Sequence, residues 1–172
     1  FFHEDIAPIT VLEDFGGVLE LWHGPTAAFK DMALQIMPHL LSKALIKEGS
    51  GNQVLILVAT SGDTGKAALE GFKNVPGIKI AVFYPNQGVS KVQELQMCTT
   101  DGDNTYVIAI QGNFDDCQAG VKQIFGDQEL AKELLQRKLQ LSSANSINWG
   151  RLAPQIVYYF YSYLSLTDAG CI

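Results

Sequence analysis

Six consecutive apolar residues, Val54 to Ala59, limit the possible folds of this chain more than any other stretch. A strand with one face in water alternates apolar and polar side chains, whereas an unbroken aliphatic run suits a strand covered on both faces. The run stops at Thr60-Ser61-Gly62-Asp63-Thr64-Gly65, and a helix is expected from Lys66 to Lys73. The same order then recurs. A strand over Ile78 to Tyr84 precedes a helix over Ser90 to Met97, and a strand over Thr105 to Ile110 precedes a helix over Phe114 to Phe125, which Asn113 is placed to cap. Alternating strand and helix predict an α/β fold with a parallel sheet and right-handed crossovers, in which ligands bind beyond the carboxyl ends of the strands. The turn from Thr60 to Gly65 is such an end.

On either side of this unit the pattern is looser. Ile9 to Leu12 and Val18 to Trp22 read as short strands joined by a turn at Gly16 and Gly17. Apolar positions at helical spacing follow from Asp31 to Lys47, where Pro38 predicts a kink or break near Met37. Gly49 to Asn52 is a loop and a domain boundary. Past the sheet unit, a charged surface helix is expected from Asp127 to Arg137, a polar connection from Leu141 to Asn148, and a last helix from Trp149 to Leu166. Tyrosines 158, 159, 161 and 163 in that helix are expected to pack in a core or interface.

Composition excludes several functions. A chain of 172 residues that is 47% hydrophobic can bury a real core. Its net charge of −6, with no basic run, offers nothing to a phosphate backbone, so nucleic acid is not an expected partner. Cys98, Cys117 and Cys171 are odd in number and far apart, which argues against a disulfide framework and points to a reducing, cytoplasmic setting. Neither they nor His3, His23 and His39 have metal-ligand spacing, so no metal is expected. No basic segment followed by an apolar core is visible at the start of these residues, so no signal peptide is expected among them. The apolar stretch from Ile156 to Leu166 is shorter than the ~20 residues that span a bilayer, so no membrane is expected either.

Two stretches hold chemistry. Glycines in the Thr60 to Gly65 turn let backbone amides approach a ligand, and the next helix aims its N-terminus at the same spot, which makes an anion site. A simpler role for Asp63 or Thr64 is to cap that helix. The turn is not a nucleotide P-loop, because only two residues separate Gly62 from Gly65 and Ala67 stands where Ser or Thr belongs; the G-x-G-x-x-G order is missing too. The second stretch holds Lys30, the only lysine in the first forty residues. A cation at a helix N-terminus opposes the macrodipole, an odd place for an idle surface charge. An amine among the apolar neighbours Ala27, Ala28 and Phe29 would instead have its pKa lowered by desolvation and serve as a Schiff-base nucleophile.

The segments HGPTAAFKD, which contains Lys30, and ATSGDTG, which contains Asp63, together resemble the threonine synthase family of pyridoxal phosphate enzymes. The likeness extends to Tyr84-Pro85, Val89-Ser90 and Gln93, to Gln111-Gly112-Asn113-Phe114-Asp115-Asp116, and to Ser143-Ala144-Asn145-Ser146-Ile147-Asn148-Trp149-Gly150-Arg151. It covers most of the chain. The resemblance implies the tryptophan-synthase-β fold, a three-layer sandwich of fold type II, with parts of a large domain at 1–50 and 142–172 and a small domain at 51–141. Lys30 would anchor the cofactor covalently and then shuttle protons, with Phe29 and Asp63 beside it. The amides of Ser61, Gly62, Asp63, Thr64 and Gly65 would hold the substrate carboxylate. Ser146, Asn148 and Arg151 would lie near the active site, Arg151 toward the substrate phosphate. The implied reaction takes O-phosphohomoserine and water to threonine and phosphate.

Family members also have, further along, a second glycine-rich loop for the cofactor phosphate and a late residue for the pyridine nitrogen. Neither occurs in these residues. The chain is therefore expected to be a fragment that is inactive alone, holds the cofactor weakly if at all, and tends to self-associate through exposed apolar surface. Two other readings stay open: a related pyridoxal phosphate lyase or dehydratase, and a catalytically silent α/β module.

Overall fold

The computed structural model describes residues 1–12, 16–146 and 148–170. Its centre is a four-stranded, wholly parallel sheet built from β3 (Gln53–Ala59), β4 (Ile78–Pro85), β5 (Thr105–Ile110) and β6 (Leu139–Ser143), in the order β5-β4-β3-β6. Strands β3 and β4 are the inner pair, and both are largely buried, as their apolar runs require. Strand β5 is an edge, and alternate side chains such as Tyr106 and Ile108 remain exposed.

The connections explain the layers. From β3 to β5 the chain moves one way across the sheet through α2 (Asp63–Phe72) and α3 (Lys91–Cys98), then returns past β4 and β3 to β6 through α4 (Phe114–Gly126) and α5 (Gln128–Gln136). Right-handed crossovers in opposite directions place the two helix pairs on opposite faces. Ser90 and Asn113 each close a capping box on the helix they begin, and Asp127 caps α5. No residue of α5 is buried, in keeping with its charged sequence.

Helix α1 (Asp31–Glu48) packs on α2 and contributes Leu34 and Met37 to the core, with Ile56, Ile80, Val82, Leu69, Phe72 and Met97. It runs through Pro38 as one element, so the break expected near Met37 does not occur. Proline offers no amide to the carbonyl four residues back, which is that of Leu34. That carbonyl is where α2 comes closest: a Cβ placed on Gly71 would overlap it. Pro38 itself is fully buried. Packing thus holds the helix together where the local rule would break it.

Four further expectations change. Helix α2 begins at Asp63, three residues before the expected Lys66, for a reason that belongs to the site below. The supposed polar connection after Leu141 contains strand β6, an edge strand of partly buried residues whose Leu-Gln-Leu-Ser alternation is that of a half-covered strand. The last helix is two, α6 (Trp149–Gln155) and α7 (Val157–Asp168), parted at Ile156 just after Pro154. Only Tyr158 of the four tyrosines is buried, while Tyr159 and Tyr163 are 77% and 63% exposed and so lie outside this chain's core.

At the amino end, β1 (Ile9–Leu12) and β2 (Gly16–Leu19) form an antiparallel ribbon. Strand β2 starts at Gly16 instead of Val18 and stops short of Trp22, and the residues joining it to β1 lie outside the described ones. Ile147 and Cys171 lie outside them too. Among the described residues no helix is long and apolar enough to cross a membrane.

Candidate active site

Strand order reverses between β3 and β6, and that switch point opens a crevice at the carboxyl ends of those strands. A cavity of about 460 Å³ fills it. One wall holds Lys30, Thr64, Ser143, Asn145, Ser146 and Arg151; α4 supplies the other with Phe114, Gln118 and Lys122. Residues 90 or more positions apart therefore meet through sheet topology rather than local sequence.

Lys30 is the N-cap residue of α1, and its Nζ donates to Asp63 Oδ2 at 2.6 Å. The Phe29 ring centroid lies 4.3 Å from the same nitrogen. The apolar surroundings expected from the sequence are thus corrected: the amine is largely covered, but it faces a carboxylate. Asp31 holds the loop before Lys30. Its carboxylate is completely buried and accepts from Thr26 N at 2.9 Å, Thr26 Oγ1 at 2.5 Å and Ala28 N at 3.3 Å. Gly24 is needed beneath it, since a Cβ there would overlap Asp31 Oδ2.

The turn after β3 is organised by a residue that sequence reasoning passed over. Thr60 is buried, and its Oγ1 accepts from Gly62 N at 3.0 Å and Gly65 N at 2.9 Å. This makes Gly62 the N-cap of α2 and draws Asp63, Thr64 and Gly65 into the first helical turn. Neither Asp63 nor Thr64 caps the helix, because the Thr60 hydroxyl does. Two of the five amides expected to face a ligand are thereby taken. Gly65 also turns inward, where Thr60, Met97 and Val82 leave no room for a Cβ. Thr64 lines the cavity; Ser61 and Asp63 are exposed and do not line it, although Asp63 bonds Lys30, which does. The Asp63 and Thr64 amides begin a helix whose N-cap has no side chain, a position suited to an anion.

Arg151 is 5% exposed and donates from Nη1 to Ala144 O at 3.0 Å, whereas its Nε has no partner. Burial pushes its pKa down, and Asp63 pulls the other way. A buried guanidinium with a spare donor on a cavity calls for an anion. Ser146 shares that wall. Asn148 does not: its side chain accepts from Gly150 N and donates to Ser143 O at 2.6 Å, so it caps α6 and fixes the turn that presents Arg151. Nearby, His23 Nε2 lies 2.7 Å from Glu20 Oε2 and braces the entry to the lysine loop.

No protein-family model matches the chain. Threonine synthase of Pseudomonas aeruginosa is 49% identical over 166 residues, which are 96% of this chain and 34% of that protein. The crystal structure of pyridoxal phosphate-bound threonine synthase from Brucella melitensis superposes with a TM-score of 0.86 at 43% identity, covering 96% of this chain and 34% of the other. The chain belongs to the threonine synthase family. The yeast threonine synthase structure agrees, with a TM-score of 0.84 at 37% identity over 98% of this chain and 34% of its own. The chain spans about a third of the length of the threonine synthases it matches. Their fold is fold type II, and pyridoxal phosphate is the cofactor of the family.

The residues present fit such a group. An aldehyde needs a primary amine in the cavity wall, a planar ring needs apolar cover, and an acidic substrate needs buried donors without partners. Lys30, Phe29 and the orphaned Arg151 Nε meet these needs in turn.

Proposed function

We propose that the protein carrying this chain is a pyridoxal phosphate-dependent threonine synthase, a carbon–oxygen lyase that converts O-phosphohomoserine and water to threonine and phosphate. The observation that carries this reading is one cavity holding both the Lys30 amine, 2.6 Å from Asp63, and the buried, partly unpaired Arg151.

Lys30, Phe29 and Asp63 would hold the cofactor, with the Lys30 amine as its anchor. When bound, that group supplies an electron sink for carbanion chemistry beside the amino-acid nitrogen. The other work falls to the protein. Lys30 Nζ takes and returns the substrate protons, and Asp63 Oδ2 orients it between transfers. The α2 amides of Asp63 and Thr64, with that of Ser61, receive the substrate carboxylate, because the Gly62 and Gly65 amides are committed to Thr60. Arg151 and Ser146 receive the substrate phosphate. The setting is the reducing cytoplasm, in keeping with free thiols at Cys98 and Cys117.

The full-length protein, given O-phosphohomoserine and cofactor, is expected to release threonine and phosphate in equal amounts. Borohydride reduction of the loaded protein should leave the label on the peptide containing Lys30. A keto acid and ammonia in place of threonine would reassign the protein to the dehydratases, and a label on another lysine would remove the role given to Lys30.

A further inference from the structure

Tyr158 is the one buried residue of α7, a helix otherwise rich in exposed aromatic side chains. It lies 129 positions from the lysine loop in sequence, yet its hydroxyl donates to the carbonyl oxygen of Phe29 at 2.8 Å. That oxygen belongs to the peptide group joining Phe29 to Lys30. We infer that Tyr158 is a positioning residue for Lys30, fixing the Phe29–Lys30 peptide from outside while Asp31 fixes the loop from within.

The geometry requires both supports. Asp31 binds Thr26 and Ala28, before the peptide in question, and the Lys30 carbonyl accepts from Leu34 N at 3.0 Å within the first turn of α1. Between these anchors Phe29 is 42% exposed, and among the described residues the Tyr158 hydroxyl is the hydrogen-bond donor that restrains its carbonyl. A rotation of that peptide would swing the Phe29 ring and the Lys30 side chain together, taking Nζ from Asp63 Oδ2. Burial, and then the nearby Asp31 carboxylate, push the Tyr158 hydroxyl up to about 12, so it stays a donor throughout the neutral range. The contact also ties α7 to the peptide group that precedes the reacting residue.

The inference rests on Lys30 being the reacting amine, and the test separates the two claims. In the full-length, cofactor-free protein, the rate at which pyridoxal and cyanoborohydride label Lys30 is measured by peptide mapping, and turnover is measured after loading. The wild type should label at Lys30; if it does not, the functional reading falls and this inference with it. With wild-type labelling established, Tyr158→Phe should slow labelling at Lys30 and lower kcat by about tenfold, with KM for O-phosphohomoserine nearly unchanged. Tyr159→Phe, on the exposed face, should change neither. A Tyr158→Phe protein that labels and turns over at the wild-type rates, even with a lower Tm, overturns the inference, as does an equal effect in Tyr159→Phe. Should Tyr158→Phe fail to fold, 3,5-difluorotyrosine at 158 keeps the ring and a hydroxyl that loses its proton at lower pH. The Lys30 labelling rate must then follow that ionisation, and a rate indifferent to it overturns the inference equally.

Discussion

The two halves of the site are both built on a buried polar side chain, but they differ in how far that support reaches. The turn after β3 is held by Thr60, whose hydroxyl serves amides two and five residues away and so needs little beyond the strand and helix it joins. The lysine loop is held by Asp31 at its own end and by Tyr158 from the far end of the chain. The half that cradles an anion is therefore local, and the half that places the reacting amine depends on tertiary structure. Local support tolerates motion elsewhere. Long-range support makes the amine's position sensitive to whatever moves α7.

Lys30→Ala should separate chemistry from support most sharply. Turnover should fall by about 10³-fold or more, because both the nucleophile and the proton carrier are gone. Stability should barely change, since the abandoned partner Asp63 is 55% exposed and can be hydrated. Steady-state kinetics beside urea unfolding of the full-length protein would reveal a structural lysine if the two losses ran together.

Asp31→Ala should do the reverse. Three donors, from Thr26 and Ala28, lose a buried acceptor at once, a cost of about 3 kcal/mol or more. Hydrogen exchange should quicken across residues 24–31 while the amides of the Thr60 turn stay protected. Uniform loss of protection would show that the two halves are one cooperative unit.

Thr60→Val keeps the shape of the side chain but removes the acceptor for two buried amides, at about 2 kcal/mol. The effect on catalysis should appear mainly in KM, since the carboxylate cradle loosens while Lys30 keeps its own supports. A loss confined to kcat would contradict this division of labour.

The smallest effect concerns pH. A hydrogen bond from Thr10 at 2.6 Å, and then the His23 ring, hold the Glu20 carboxyl below its ordinary value of 4.5. A depressed acid stabilises the fold above that value and loses its contribution as the pH falls through the depressed one. Glu20→Gln should therefore lower Tm slightly at neutral pH and match the wild type in acid. A Tm difference that grew on acidification would reverse the sign.

Much of the fold could be read in advance because it rests on signals confined to short windows. The Val54 to Ala59 run, the capping residue Asn113, and the strand over Thr105 to Ile110 all appear where local chemistry puts them. Strand β6 escaped notice because an edge strand needs only half its residues apolar, and Leu139-Gln140-Leu141-Ser142-Ser143 resembles a polar loop until β3 is beside it. Of the kink or break expected at Pro38, the break is absent, because burial against α2 keeps the helix one element. In the site, Lys30 stands out as a charge in an unusual place, while Asp63 and Arg151 enter through the resemblance to a family. Thr60, Asp31 and Tyr158 do not stand out, because a buried hydroxyl or carboxylate looks like any other until its partners are known.

By itself, the sequence determined the order of strands and helices from β3 to α5 and the parallel sheet, since each follows from apolar periodicity or from residue types a few positions apart; the pairing of the lysine segment with the glycine turn rested on the resemblance to a family. Tertiary structure decided which amides remain open to a ligand, that the lysine faces a carboxylate, that Arg151 is buried with a donor to spare, and that one tyrosine among four reaches back to the peptide before the lysine. These outcomes depend on which groups exclude water from one another and complete each other's hydrogen bonds. That is a property of contacts 33 to 129 positions apart, which no local pattern encodes.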